Sequence, residues 1–186
     1  SGTFCIEAAM MARQIAPGLR RTFSFEEWNW IDNRLIQEVR TEASKKINRD
    51  LVLDIMGTDI DARMVEIAKE NAQKAGVASD ITFKQMRVQD LRSEKINGVI
   101  ISNPPYGERL SDDEGVTKLY AEMGEVFEPL KTWSKFILTS DENFEKKFGR
   151  QADKKRKLYN GTLKVDLYQF FGERVRRQAT SEKGNI

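Results

Sequence analysis

The sequence predicts an α/β domain built on a mostly parallel sheet. Three observations carry that expectation. Short apolar runs bounded by turn residues alternate with stretches of helical periodicity, the pattern of strands joined by crossover helices. The chain has 186 residues, of which 39% are hydrophobic, enough for one core and too few for two large ones. Near the end, Asn160-Gly161 stands between Lys157–Asn160 and Thr162–Phe171, a strong hairpin signal, so the sheet should close with an antiparallel pair. No internal repeat and no linker rich in Pro, Gly or Ser divides the chain.

Each element has its own signal. Phe4, Ala8, Met11 and Ile15 recur at helical spacing until Ala16-Pro17-Gly18 stops the helix. Ser24 followed by Glu27 reads as a capping box opening a long helix whose buried stripe would be Trp28, Ile31, Leu35 and Val39. Leu51–Asp59 is a short buried strand. From Asp61 an amphipathic helix runs to Ala75 with Met64, Ile67, Ala68 and Asn71 on one face, and Gly76 ends it. Ile81–Val88 alternates as a strand does, and Asn97–Ser102 is a second buried strand. A helix over Val116–Leu130, a strand over Lys135–Thr139 and a short helix over Asn143–Phe148 precede the hairpin. The tail after Gly172 is polar. One domain over 1–172 with a tail at 173–186 is the simplest division.

Composition excludes several chemistries. The single Cys5 and the absence of histidine rule out a disulfide framework, histidine-containing metal sites and histidine-based triads, so no metal is expected. With 31 basic residues against 29 acidic, a net charge of +2 permits a nucleic-acid partner without demanding one. No run approaches the roughly 20 apolar residues that span a bilayer, and no secretory signal opens the chain. A cytoplasmic protein is the expectation, and the sequence leaves its oligomeric state open. The chain starts at Ser1-Gly2-Thr3 and enters a helical pattern at once, as a fragment would.

In open parallel sheets, ligands bind beyond the carboxyl ends of the strands, and three candidate residues are expected there: Asp59, Asp90 and Asn103. Asp59 is placed to accept from both ribose hydroxyls of a nucleoside cofactor. Helix capping is its other reading, a need that Asp61 fills better. Asp90 follows the alternating segment and suits an adenine amino group, or a plain turn. Asn103-Pro104-Pro105-Tyr106 is the strongest signal. Two prolines cannot continue a central strand, so this is a loop. A base amine is a poor nucleophile because its lone pair is delocalised into the ring. The Asn103 side-chain oxygen and the Pro104 carbonyl can accept its two N–H bonds and favour a tetrahedral nitrogen aimed at a methyl donor. Pro105 stiffens the backbone. Tyr106 offers a flat face to a flipped-out base.

These residues resemble the class I S-adenosylmethionine-dependent amino-methyltransferases. Within them they are similar to the bacterial ribosomal RNA guanine-N2 methyltransferases, also labelled N6-adenine-specific DNA methylases. Ser1-Gly2-Thr3-Phe4 with Ile6-Glu7-Ala8-Ala9 resembles the end of the glycine-rich cofactor motif and its helix. Ala16-Pro17-Gly18-Leu19 and Phe25-Glu26-Glu27-Trp28 resemble the next segment. Gly57-Thr58-Asp59-Ile60-Asp61 resembles the ribose motif. Asn103 to Arg109 and Lys157-Leu158-Tyr159-Asn160-Gly161 resemble the catalytic loop and the terminal hairpin.

The resemblance implies a Rossmann-like class I methyltransferase sheet with a C-terminal β-hairpin. It implies S-adenosylmethionine as cofactor, held by Gly2, Thr3, Asp59, Ile60, Asp90 and Asn103. It assigns the catalytic role to Asn103, Pro104, Pro105 and Tyr106, and it makes ribosomal RNA the partner. Family members carry a strand ending in Asp-Pro-x-Cys-Gly before the Ser-Gly-Thr, and usually RNA-binding THUMP and ferredoxin-like regions earlier. None of these lies in the 186 residues. The first strand is therefore expected to be missing from this chain, the domain to be truncated at its N-terminus, and the isolated chain to be inactive. The NPPY core alone leaves adenine-N6 methylation of DNA, methylation of a protein glutamine, and a non-catalytic remnant that binds RNA or a partner as alternatives.

Arg150, Lys154, Lys155, Arg156 and Lys157, joined by Arg174, Arg176 and Arg177, suit RNA phosphates or a plain solvated face. Glu108 and Arg109 have no role fixed by spacing. Trp28 reads as core and Trp30 as a cover for a neighbouring domain. Cys5 reads as a small buried apolar residue.

Overall fold

The computed structural model describes residues 1–105 and 113–174. The chain divides into two compact units, Ser1–Arg87 and Val88–Ile186.

The first unit runs α1 (Thr3–Ala12), α2 (Asn33–Lys45), β1 (Ile55–Asp59), α3 (Ala62–Ala75) and β2 (Ile81–Gln85). β1 and β2 pair in parallel from Ile55↔Ile81 to Asp59↔Gln85, with α3 as the crossover. The capping signals of α3 are where the sequence puts them. The Asp61 carboxylate accepts from the Arg63 N–H at 2.8 Å, and Gly76 leaves the helix at φ 78°. Ile6, Ala9, Ala72, Val77 and Ile81 make the core. Beside it, the Arg13 guanidinium makes a two-pronged pair with Asp80, at 2.6 and 2.5 Å. These bonds hold the Asp80 carboxyl below the usual carboxylate range.

α1 ends at Ala12, before the stop expected at Ala16-Pro17-Gly18; its buried residues are Ile6 and Ala9, while Phe4 and Met11 are exposed. Gly2 packs so close to α3 that a Cβ there would lie 2.8 Å from the Ala68 Cβ. One expectation for this unit fails. The long helix from Ser24 is instead a 3₁₀ turn over Ser24–Glu27, and α2 starts at Asn33. Glu26, not Glu27, returns its carboxylate to a backbone N–H, that of Phe23 at 3.2 Å. Asp32 then caps α2 by accepting from the Arg34 N–H at 2.8 Å. No residue of α2 is buried, and Trp28, Leu35 and Val39 are exposed. The helix is tied down by polar bonds: Arg40 donates to the carbonyls of Leu19 and Arg21 and pairs with Glu26.

The second unit contains a 3₁₀ turn over Val88–Asp90, then β3 (Val99–Ser102), α4 (Asp113–Phe127), β4 (Ser134–Thr139), α5 (Phe144–Phe148), β5 (Lys154–Asn160) and β6 (Leu163–Phe170). The strand order is β3-β4-β6-β5, with β3 and β4 parallel and the rest antiparallel. One face of this sheet packs α4 and α5 through Tyr120, Met123, Phe127, Ile137, Phe144, Phe148, Tyr168 and Phe170. The aromatic rings meet edge to face and tilted, with Phe144 4.9 Å from Tyr120 and 4.7 Å from Tyr168. Lys135 is buried, and its ammonium donates to the Leu130 carbonyl just past α4 at 2.6 Å, a cation at the negative end of the helix.

β3 departs from the expected buried strand, because Val99 and Ile101 on its other face are exposed. The hairpin turn is Gly161-Thr162 rather than Asn160-Gly161: Asn160 still pairs with Leu163, and Gly161 takes the positive φ of 63°. β5 begins at Lys154, so the basic run belongs to a strand.

Candidate functional site

Each unit carries part of the site predicted from sequence. In the first, Asp59 is the last residue of β1, at the carboxyl end where a parallel sheet receives a ligand. Its Oδ1 accepts from the Asp61 N–H at 3.0 Å, and its carbonyl accepts from the Met86 N–H at 2.9 Å. The carboxylate is thus fixed in direction while Asp61 does the capping, as expected. Ile60 follows with its side chain exposed, and its carbonyl accepts from the Gln85 side chain at 3.0 Å. Gly2 begins α1 in the left-handed conformation, φ 79°, and Thr3 is the first helical residue. Any side chain at Gly2 would strike Ala68 and Phe83, so glycine is required for this close approach of helix and strand.

In the second unit, Asp90 is exposed and ends the 3₁₀ turn rather than a strand. Val88 and Leu91 pack against the core on either side of it and set its position. Asn103 follows β3 directly, with its side chain exposed, and Pro104 is buried. The Pro105 carbonyl lies 3.4 Å from the Tyr120 hydroxyl, which in turn lies 2.9 Å from the Thr139 hydroxyl. Tyr120 and Thr139 are fully buried, and the Thr139 Oγ1 accepts from the Asp141 N–H at 3.1 Å. The sequence reading missed this pair. Tyr120 sits at an ordinary core position of α4, and the only hint is a tyrosine where phenylalanine would pack equally well. Tyr106, Glu108 and Arg109 lie outside the described residues, as do Arg176 and Arg177.

The basic run is split by the strand pleat. Lys155 pairs with Glu145 at 3.2 Å and lies over the Tyr168 ring, 4.7 Å from its centroid, so it is engaged within the fold. Lys154 and Arg156 alternate onto the other face and are exposed. Arg150 covers Phe170 and stands 3.6 Å from Asp153.

Residues 1–169 match the model of the RMKL-like methyltransferase domain. The chain belongs to that family. Among curated proteins, the chain is 51% identical over 181 residues to "Putative RNA methyltransferase YpsC" of Bacillus subtilis, covering 97% of this chain and 47% of that protein. It is 40% identical to the ribosomal RNA large subunit methyltransferase K/L of Shewanella amazonensis, covering 100% of this chain and 28% of that protein. Among solved structures, SMU.472, titled a putative methyltransferase complexed with SAH, superposes with a TM-score of 0.91 at 63% identity, over 94% of this chain and 46% of that one. The chain thus spans about half, or less, of the length of the relatives it matches. The family assignment agrees with the α/β fold and with the methyltransferase resemblance drawn from NPPY and the ribose segment. In this RMKL-like domain no helix of the described residues is long and apolar enough to cross a membrane.

Proposed function

We propose that the whole protein transfers the methyl group of S-adenosylmethionine to an exocyclic amine of an RNA base, with guanine N2 of large-subunit ribosomal RNA as the target. The observation that carries this reading is Asn103-Pro104-Pro105 directly beyond the carboxyl end of β3, with Pro104 buried and the Pro105 carbonyl near a buried hydroxyl. The relatives support the choice of ribosomal RNA, since K/L enzymes carry that substrate in their name.

The side chains assigned to the cofactor have the chemistry that such a group would need. Asp59 offers a carboxylate to the two ribose hydroxyls, with Ile60 beside it, and Asp90 offers an acceptor to the adenine amine. Gly2 and Thr3 bring a helix start, with its N–H groups, to the methionine portion. When bound, the cofactor supplies an electrophilic methyl on a sulfonium. Asn103 Oδ1 and the Pro104 carbonyl accept the two N–H bonds of the target amine and turn its lone pair toward that methyl. Once methylated, the amine would carry one proton too many and would give it to water. Tyr106, which lies outside the described residues, is the side chain that the family resemblance assigns to stacking on the base. Proximity and orientation supply most of the acceleration.

Digestion of large-subunit ribosomal RNA after incubation with the whole protein and methyl-labelled cofactor tests this. Label in N2-methylguanosine is expected. In parallel incubations with duplex DNA and with a glutamine-bearing protein, label in N6-methyl-2′-deoxyadenosine or in the glutamine amide, and none in ribosomal RNA, would replace this reading with one of its rivals.

A further inference from the structure

We infer that Tyr120 and Thr139 are positioning residues for the catalytic loop, acting through a directed chain of hydrogen bonds that ends on the Pro105 carbonyl. The inference rests on the proposed methyl transfer for its functional consequence, and on geometry alone for the chain itself.

The direction follows from counting protons. A carbonyl oxygen can only accept, so the Tyr120 hydroxyl must spend its single proton on Pro105 if that bond forms. The Thr139 hydroxyl, 2.9 Å away, must then donate to the Tyr120 oxygen. Thr139 is left to accept, and the Asp141 N–H supplies that bond at 3.1 Å. The run is Asp141 N–H to Thr139 Oγ1–H to Tyr120 Oη–H to the Pro105 carbonyl. Reversing the central bond would leave the Pro105 carbonyl without the Tyr120 proton. In one direction each donor strengthens the next.

Three elements meet in this chain. Tyr120 comes from α4, Thr139 from the carboxyl end of β4, and Pro105 from the loop after β3. Tyr120 cannot drift, because its ring stands edge-on to Phe144, itself fully buried. The core thus fixes the peptide that follows Pro105 and, through the stiff proline pair, the orientation of the Pro104 carbonyl and Asn103 side chain. A carbonyl acceptor displaced by about 1 Å can cost roughly a hundredfold in rate.

The experiment compares Tyr120→Phe, Thr139→Val and Thr139→Ser in the whole protein. Tyr120→Phe and Thr139→Val are expected to lower kcat by roughly ten- to a hundredfold, with KM for both substrates within about twofold. Thr139→Ser, which keeps the hydroxyl, is expected to retain the rate. A readout independent of activity is the ¹³C shift of the Pro105 carbonyl, which should move in Tyr120→Phe. A carbonyl shift unchanged in folded Tyr120→Phe would overturn the inference, as would equal losses in the Val and Ser variants. Absent methyl transfer by the unmodified protein would count against the proposed function only, since the carbonyl shift still reports on the chain.

Discussion

Gly124 and Gly149 are both glycines beside α5, yet the fold uses them for opposite reasons, and alanine at each separates the two. At Gly124, inside α4, a Cβ would stand 2.1 Å from the Phe148 carbonyl oxygen. That atom is backbone, so α4 and α5 must part by about 1.3 Å to reach an ordinary contact of 3.4 Å. α5 carries Phe144 and Phe148 into the aromatic core, and parting the helices loosens the contacts of both rings. Overpacking of this kind costs about 1–3 kcal/mol, and a backbone collision belongs at the upper end. Helix propensity returns about 1 kcal/mol for Gly→Ala in a helix interior. Gly124→Ala should therefore destabilise by about 2 kcal/mol net. At Gly149 nothing lies within 4 Å of the added Cβ, and the cost comes from φ 82° alone, about 1–2 kcal/mol. Urea unfolding monitored by circular dichroism measures both. The Gly149→Ala structure should superpose on the parent, while Gly124→Ala should show α5 displaced. A Gly124→Ala protein more stable than the parent by about 1 kcal/mol would show that propensity alone acts there and would refute the close-contact argument.

Three further outcomes are expected. Asp59→Ala should weaken S-adenosylhomocysteine binding by roughly ten- to a hundredfold in calorimetric titration, the worth of hydrogen bonds to a charged group; unchanged affinity would remove Asp59 from the cofactor site. Asp80→Asn should lower the melting temperature at neutral pH. Arg13 holds the Asp80 carboxyl low in the folded protein, so the pair's stabilisation is complete above the unfolded value of about 3.9 and is lost as pH falls through the folded value. The gap in melting temperature between parent and variant should accordingly narrow only in acid, and a gap that is constant down to the lowest measurable pH would contradict the pairing. Burial pushes the Cys5 thiol up, and its sulfur lies 3.8 Å from the Met56 carbonyl, so iodoacetamide should label it slowly until urea unfolds the chain, as mass spectrometry would record.

Local signals were legible where capping and turn chemistry are self-contained. Asp61 and Gly76 bracket α3, and the strand expected at Lys135–Thr139 is β4. Asp59 and Asn103 were legible because each follows an apolar run and stands where such a strand must end. Faces were harder. The spacing of Phe4, Ala8, Met11 and Ile15 fits a helix as well as Ile6 and Ala9 do, yet in α1 only the latter pair is buried. The stripe of α2 has genuine periodicity, yet Arg40 and Asp32 hold that helix by polar bonds and leave Leu35 and Val39 outside. The Tyr120–Thr139 link was beyond reach because it depends on how α4 packs on β4, which no residue pattern specifies. Burial of an aromatic in a helix is ordinary; the placement of its hydroxyl is a property of the assembled core.

Single-turnover methyl transfer by Asn103→Ala, measured beside cofactor affinity in the same protein, tests most directly whether this loop activates the amine. The rate at saturating cofactor should fall by roughly a hundred- to a thousandfold, the loss typical of one preorganised polar contact to a reacting group, and by more than any loss in S-adenosylhomocysteine affinity. Transfer at the parental rate, with the amine methylated as before, would contradict the account.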